Sequence, residues 1–138
     1  MPARDVFHKA VRQALIADGW TITDDPLVVQ FGSVELYIDL GAEKLIAAEK
    51  EGATIAVEVK SFLGSSVVSE FHTALGQFLN YRFVLEQKEP LRKLFLAVPV
   101  DIYNTFFSLA FTKGIVEQYN VKLLVYDPEK EEVYQWIN

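Results

Sequence analysis

The sequence predicts an α/β domain: a mixed sheet with helices on both faces. Three observations predict this class. Apolar residues recur with helical period in three segments, the longest in the middle of the chain. Short apolar or alternating runs, bounded by Gly, Pro or Asp, lie between them. The order is one helix, a strand meander, a helix, a strand, a helix and a closing pair of strands, which requires both hairpins and helical crossovers. At 138 residues the chain matches the length of one domain, 1–138, and is long enough to bury a substantial core.

Each element has its own signal. Residues 5–17 place Phe7, Ala10, Val11, Ala14 and Leu15 on one helical face, and Gly19 stands where a C-terminal cap belongs. Asp24-Asp25-Pro26 marks a turn. Residues 27–31 read as a strand, and 34–40 alternate and read as another. Two further runs, 44–50 and 53–60, flank Glu51-Gly52 as the arms of a hairpin. The long helix spans 66–87, with Ser66 as N-cap, Pro90 as stop and a stripe of Val68, Phe71, Leu75, Phe78, Leu79 and Leu85. Residues 93–98, closed by Pro99, suit a central strand. A third helix spans 102–119, with Asp101 as N-cap and a break near Gly114. Strands 121–126 and 132–137 close the chain around a turn at 127–130.

Composition removes several functional classes. The absence of Cys excludes disulfide scaffolds and Cys-ligated metal, and two His exclude a His-rich site. No run approaches the ~18 apolar residues of a membrane span. The start of the chain lacks a signal-peptide apolar stretch, so a soluble, cytoplasmic protein is expected. A net charge of −6 argues against a DNA binder that works by charge alone. The acidity is local: nine of the nineteen acids fall in residues 18–58, against two bases. Such a segment suits carboxylates that hold a metal.

The chemistry gathers around 55–60. On a strand, Glu58 and Lys60 share one face while Ile55, Val57 and Val59 take the other, and Ala56 leaves space beside Glu58. Glu-x-Lys by itself reads first as a same-face salt pair on a half-exposed strand, because such tripeptides are common. Asp39 adds a second acid embedded in an apolar strand, giving two hard oxygen ligands for Mg²⁺ with a Lys beside them. On the long helix, Gln77 and Tyr81 are one turn apart and extend a polar row from Glu70 and Thr73.

Asp39, then Glu58-Val59-Lys60, then Gln77-x-x-x-Tyr81 resembles the PD-(D/E)XK nuclease pattern, with Ile38 where the first Pro often stands. The element order is similar to the restriction-endonuclease-like αβββαβ core. More narrowly, the chain resembles the XisH family of element excision controlling factors, through residues 3–8, 18–20, 37–43, 56–62 and 74–77. That resemblance implies a part in site-specific excision of a DNA element interrupting a nitrogen-fixation operon. It also implies a small partner, XisI. The expected activity is Mg²⁺- or Mn²⁺-dependent phosphodiester hydrolysis on DNA, with Asp39, Glu58 and the Val59 carbonyl as metal ligands. Lys60 would orient water or stabilise charge, Gln77 would position water or Lys60, and Tyr81 would contact a phosphate. The rival reading is a non-cleaving accessory protein that controls excision through a partner or recombinase.

One geometric tension remains in the pattern. A tight turn at Glu51-Gly52 sets Lys60 opposite Glu43 and leaves Asp39 about 13 Å further along the strand. Either a bulge near Gly41 closes that gap or Glu43 is the second carboxylate. His8 either leans into the site or packs on the first helix, and Asp5 either reaches metal or favours the helix N-terminus. Trp20 and Trp136 read as core or rim aromatics. Tyr103, Phe106, Phe107 and Phe111 form a candidate apolar patch for a homodimer or a partner.

Overall fold

The computed structural model describes residues 3–44 and 52–138, with side chains described from Val6 onward. Its elements in order are α1 (Ala3–Ala17), β1 (Thr21–Asp24), β2 (Leu27–Phe31), β3 (Val34–Ile38), β4 (Leu40–Lys44), β5 (Ala53–Val59), α2 (Val67–Lys88), β6 (Lys93–Pro99), α3 (Val100–Thr105), a 3-10 turn (Phe106–Ser108), α4 (Ala110–Gln118), β7 (Leu123–Asp127) and β8 (Glu132–Ile137). Six strands form one mixed sheet in the order β1-β4-β5-β6-β7-β8. The central β5, β6 and β7 are parallel, and the remaining neighbours are antiparallel. β2 and β3 pair with each other as a separate hairpin.

Each face of the sheet buries its own core. Ile55 and Val57 of β5 join Val11, Leu15, Phe95, Leu124 and Tyr126 under α1. Ala56, between them in sequence, joins Phe71, Phe78, Leu96, Val98 and Phe107 under α2 and the 3-10 turn. β6 is buried from Leu94 to Pro99, as a parallel strand covered on both faces must be. Each of its large apolar side chains contributes about 1.5–3 kcal/mol by leaving water. The β2–β3 hairpin lays Leu27, Val29 and Ile38 onto the α2 side. Ser66 caps α2 by accepting the Ser69 amide at 3.2 Å. No described helix is long and apolar enough to cross a membrane.

The expected α/β class holds, and several details differ. First, β4 and β5 pair Leu40 with Val57, Ala42 with Ile55 and Lys44 with Ala53. Lys44 faces Ala53, which is not the register that a tight turn at Glu51-Gly52 would set; that turn and most of the expected strand 44–50 lie outside the described residues, since 45–51 are not described. Continued one step, this register sets Asp39 beside Glu58, so no bulge near Gly41 is needed. Second, the run 34–40 is two strands that part at Asp39, one entering each sheet. Third, Thr21–Asp24 is an edge strand on β4, too short and too polar to stand out in the sequence. Fourth, the third helix starts at Val100 with Pro99 as N-cap and breaks at Phe106–Leu109 rather than at Gly114. The break lets two consecutive rings, Phe106 and Phe107, pack on Phe71 at 5.4 and 5.7 Å between centroids. Both are buried, which removes them from the expected surface patch and leaves Phe111 exposed. The stripe of α2 is also shifted: Ala74 and Val84 are buried, whereas Val68 is exposed.

Gly41 sits where three segments converge. A Cβ there would meet Asp24 Oδ2 at 2.9 Å and Arg92 Nη1 at 3.1 Å. Arg92 is itself fixed, donating to the Ile55 carbonyl at 2.8 Å and to Glu89 at 3.0 Å. Gly41→Ala is therefore expected to destabilise the fold by about 1–3 kcal/mol, the usual range for overpacking. A urea-unfolding midpoint unchanged from wild type would contradict this.

Candidate functional site

The site begins with the parting of β3 and β4. At that bend side chains replace the regular ladder. The Asp39 backbone N–H donates to Glu58 Oε1 at 3.3 Å, and the Val59 N–H donates to Asp39 Oδ2 at 2.7 Å. Each carboxylate thus holds the strand that carries the other. One oxygen of each, Asp39 Oδ1 and Glu58 Oε2, accepts no hydrogen bond among the described residues, and Lys60 Nζ lies 3.5 Å from Glu58 Oε2. The Lys60 backbone is held at both ends: its N–H donates to the Ala97 carbonyl at 3.0 Å, and its carbonyl accepts the Tyr126 hydroxyl at 3.2 Å.

These groups open into a cleft of about 760 Å³ at the C-terminal end of β5. The C-terminal ends of strands in an open α/β sheet are where ligands commonly bind. α1 contributes Phe7 and His8, the β1–β2 turn contributes Asp25 and Pro26, and α2 contributes Glu70, Gln77 and Tyr81. The Gln77 side-chain oxygen is buried and has no hydrogen-bond partner among the described residues. Glu70 accepts the Gly64 amide at 2.9 Å and so fixes the loop after β5, where buried Phe62 takes a positive φ of 56°.

Electrostatics marks Glu58. It is 6% exposed, and burial first, then the charge of Asp39, raises its pKa to about 7; the Lys60 ammonium opposes the rise. Tyr81 is also raised, by burial and then by the charges of Glu58 and Asp39. A negative potential in the cleft therefore reaches as far as α2.

Asp39, Glu58, Val59, Lys60, Gln77, Tyr81 and His8 all line this cleft. Glu43 does not: it is exposed on β4, opposite Thr21 and Thr54. As the alternative second carboxylate it is displaced by the register that sets Asp39 beside Glu58. The Asp5 side chain lies outside the described residues. Asp25, expected only as a turn residue, is part of the wall. It holds His8 Nε2 at 2.8 Å and accepts from Arg12 Nη1 at 2.9 Å. The available sequence signal was the one-turn spacing of His8 and Arg12, which presents both to one partner.

The donor set suits a hard divalent cation. Two adjacent carboxylates each keep an oxygen that accepts no hydrogen bond among the described residues, and the burial that raises Glu58 leaves its charge poorly solvated. Among the described residues no group of three or more His, Asp or Glu converges in a metal-binding arrangement. Two carboxylates completed by water and phosphate oxygens match the habit of Mg²⁺ rather than of a closed protein cage.

Comparison with known proteins follows the same lines. A search among curated proteins finds no significant match. Two crystal structures are similar over nearly the whole chain. An XisH family protein from Nostoc punctiforme PCC 73102 is 53% identical, with 97% of this chain and 100% of that one covered and a TM-score of 0.88. A fdxN element excision controlling factor protein from Anabaena variabilis is 55% identical, with 98% and 100% covered and a TM-score of 0.88. The model of the XisH protein family matches residues 1–134, and the chain belongs to that family.

Proposed function

We propose that this protein is a divalent-cation-dependent DNA endonuclease of the PD-(D/E)XK type, acting in the excision of a DNA element. The observation that carries the reading is the reciprocal Asp39–Glu58 pair with Lys60 Nζ 3.5 Å from Glu58. Asp39 and Glu58, with the Val59 carbonyl, would hold Mg²⁺. A bound Mg²⁺ supplies a more acidic water and neutralises phosphate charge. The chain's own residues do the rest. The backbone bonds from Asp39 and Val59 keep both carboxylates aimed into the cleft before anything binds. Lys60, with its Nζ 3.5 Å from Glu58, places its ammonium where negative charge develops on the phosphate. Gln77 offers its unpartnered oxygen to orient a water or Lys60, and the Tyr81 hydroxyl, held neutral, donates to a phosphate oxygen.

The test is cleavage of duplex, nicked and branched DNA with Mg²⁺, with Mn²⁺ and with EDTA. Metal-dependent hydrolysis that EDTA abolishes is expected; cleavage undiminished by EDTA contradicts the proposal.

A second reading has an observation of its own. The cleft wall carries Asp25 and Glu70 besides the central pair, and Arg12 is spent on Asp25. With a net charge of −6, this surface holds DNA poorly unaided. The Anabaena relative is named a controlling factor. In this reading the protein steers excision without cutting, through a partner of the XisI kind or the recombinase. Tight partner binding with no uptake of Mg²⁺ or Mn²⁺ at millimolar concentration favours it over the nuclease.

A further inference from the structure

A second hollow, of about 560 Å³, lies at the N-terminal ends of β5 and β6, where it plays no part in the carboxylate cleft. Thr54 in its wall and Glu58 are four residues apart on β5, about 13 Å along the strand. Its volume falls within the range of small-molecule sites.

The walls are aromatic and braced. Trp20 and Trp136 lie 5.8 Å apart, and Phe95 meets Trp136 edge-on at 4.9 Å. Both indole N–H groups donate to one atom, Asp18 Oδ2, at 3.2 and 3.1 Å. That shared acceptor fixes the two ring planes and occupies the one acidic side chain of the wall among the described residues. Lys44 Nζ lies 5.6 Å from the Trp20 ring centre and donates to the Asp18 carbonyl at 2.8 Å. Lys93 is exposed at the mouth, beside Leu91, which is 84% exposed. Among the described residues, neither lysine has a carboxylate within 4.0 Å.

Rigid rings beside two ammonium groups complement a ligand that is planar, apolar on its faces and anionic at one end. We propose that this hollow binds a nucleotide, with its base against Trp136 and Trp20 and its phosphate between Lys44 and Lys93. Base–aromatic stacking contributes about 1–3 kcal/mol per base and tolerates any base. The nucleotide is either free or an unpaired residue of a DNA strand; both present the same chemistry. The site stands apart from the nuclease reading and survives its failure.

The chain's two tryptophans both line the hollow, so intrinsic fluorescence reports on it directly. The full chain is titrated with thymidine monophosphate and, separately, with a short oligothymidylate, in EDTA. Saturable quenching is expected, together with shifts of both indole N–H resonances in the NMR spectrum. Lys93→Glu is expected to weaken binding about tenfold or more, with an unchanged unfolding midpoint because the side chain is exposed; Glu58→Gln is expected to leave binding unaltered. Saturation by the mononucleotide supports a free nucleotide as ligand, and saturation by the oligonucleotide alone supports a strand. No saturable change with either at millimolar concentration, or equal affinity in Lys93→Glu, overturns the proposal.

Discussion

Lys60→Ala is expected to lower Mg²⁺-dependent cleavage about 10²–10³-fold, the usual consequence of removing one charge-stabilising group from a transition state. The expectation rests on position. The Lys60 backbone is tied to Ala97 on one side and to Tyr126 on the other, so truncating the side chain leaves the strand in place. The ammonium lies 3.5 Å from Glu58 in a cleft whose wall includes four carboxylates, Asp25, Asp39, Glu58 and Glu70. No other lysine or arginine lines that wall among the described residues. Single-turnover rates at saturating Mg²⁺, measured beside thermal unfolding, separate loss of chemistry from loss of fold. Activity within about threefold of wild type contradicts the role of Lys60.

The second large effect concerns stability. Glu58 has a folded pKa of about 7 against an ordinary value of 4.5, chiefly because it is buried. A raised carboxylate binds its proton more tightly in the folded state, so its contribution to stability is fully present below pH 4.5 and is lost as pH rises to 7. Glu58→Gln removes that penalty while keeping an acceptor for the Asp39 amide. At roughly 1.4 kcal/mol per unit, the variant is expected to exceed wild type by about 3 kcal/mol at pH 8 and by little at pH 4. Mg²⁺ is expected to narrow the gap at pH 8 by stabilising wild type alone. Parallel stability profiles from pH 4 to pH 8 contradict the assignment of Glu58 as the buried, strained acid.

The residues of the cleft were largely legible because their signals are local. Glu58 and Lys60 share a strand face by the period of two, and Gln77 and Tyr81 share a helix face by the period of four. Register was harder. Glu51-Gly52 looks like a tight turn, but the pairing is set by Leu40 and Ala42 packing with Ile55 and Val57 under α1, and by the bonds between Asp39, Glu58 and Val59. Those are tertiary facts with no footprint in a window of a few residues. The same holds for the 3-10 turn, which exists so that Phe106 and Phe107 can both reach Phe71. Asp25 carries only a turn signal of its own, because its partners, His8 and Arg12, lie far away on α1. Trp20 and Trp136 read as core or rim singly; that they share Asp18 is visible only in the fold.

The nuclease and accessory readings share a fold and part at a single point, whether a cation sits on the Asp39–Glu58 pair. Crystals grown at pH 8 and soaked in Mn²⁺ test this directly through anomalous scattering. The expected result is a peak shared by Asp39 and Glu58, absent from Asp39→Asn crystals. A map with no peak at that pair at saturating Mn²⁺ would contradict the metal centre, and with it the nuclease.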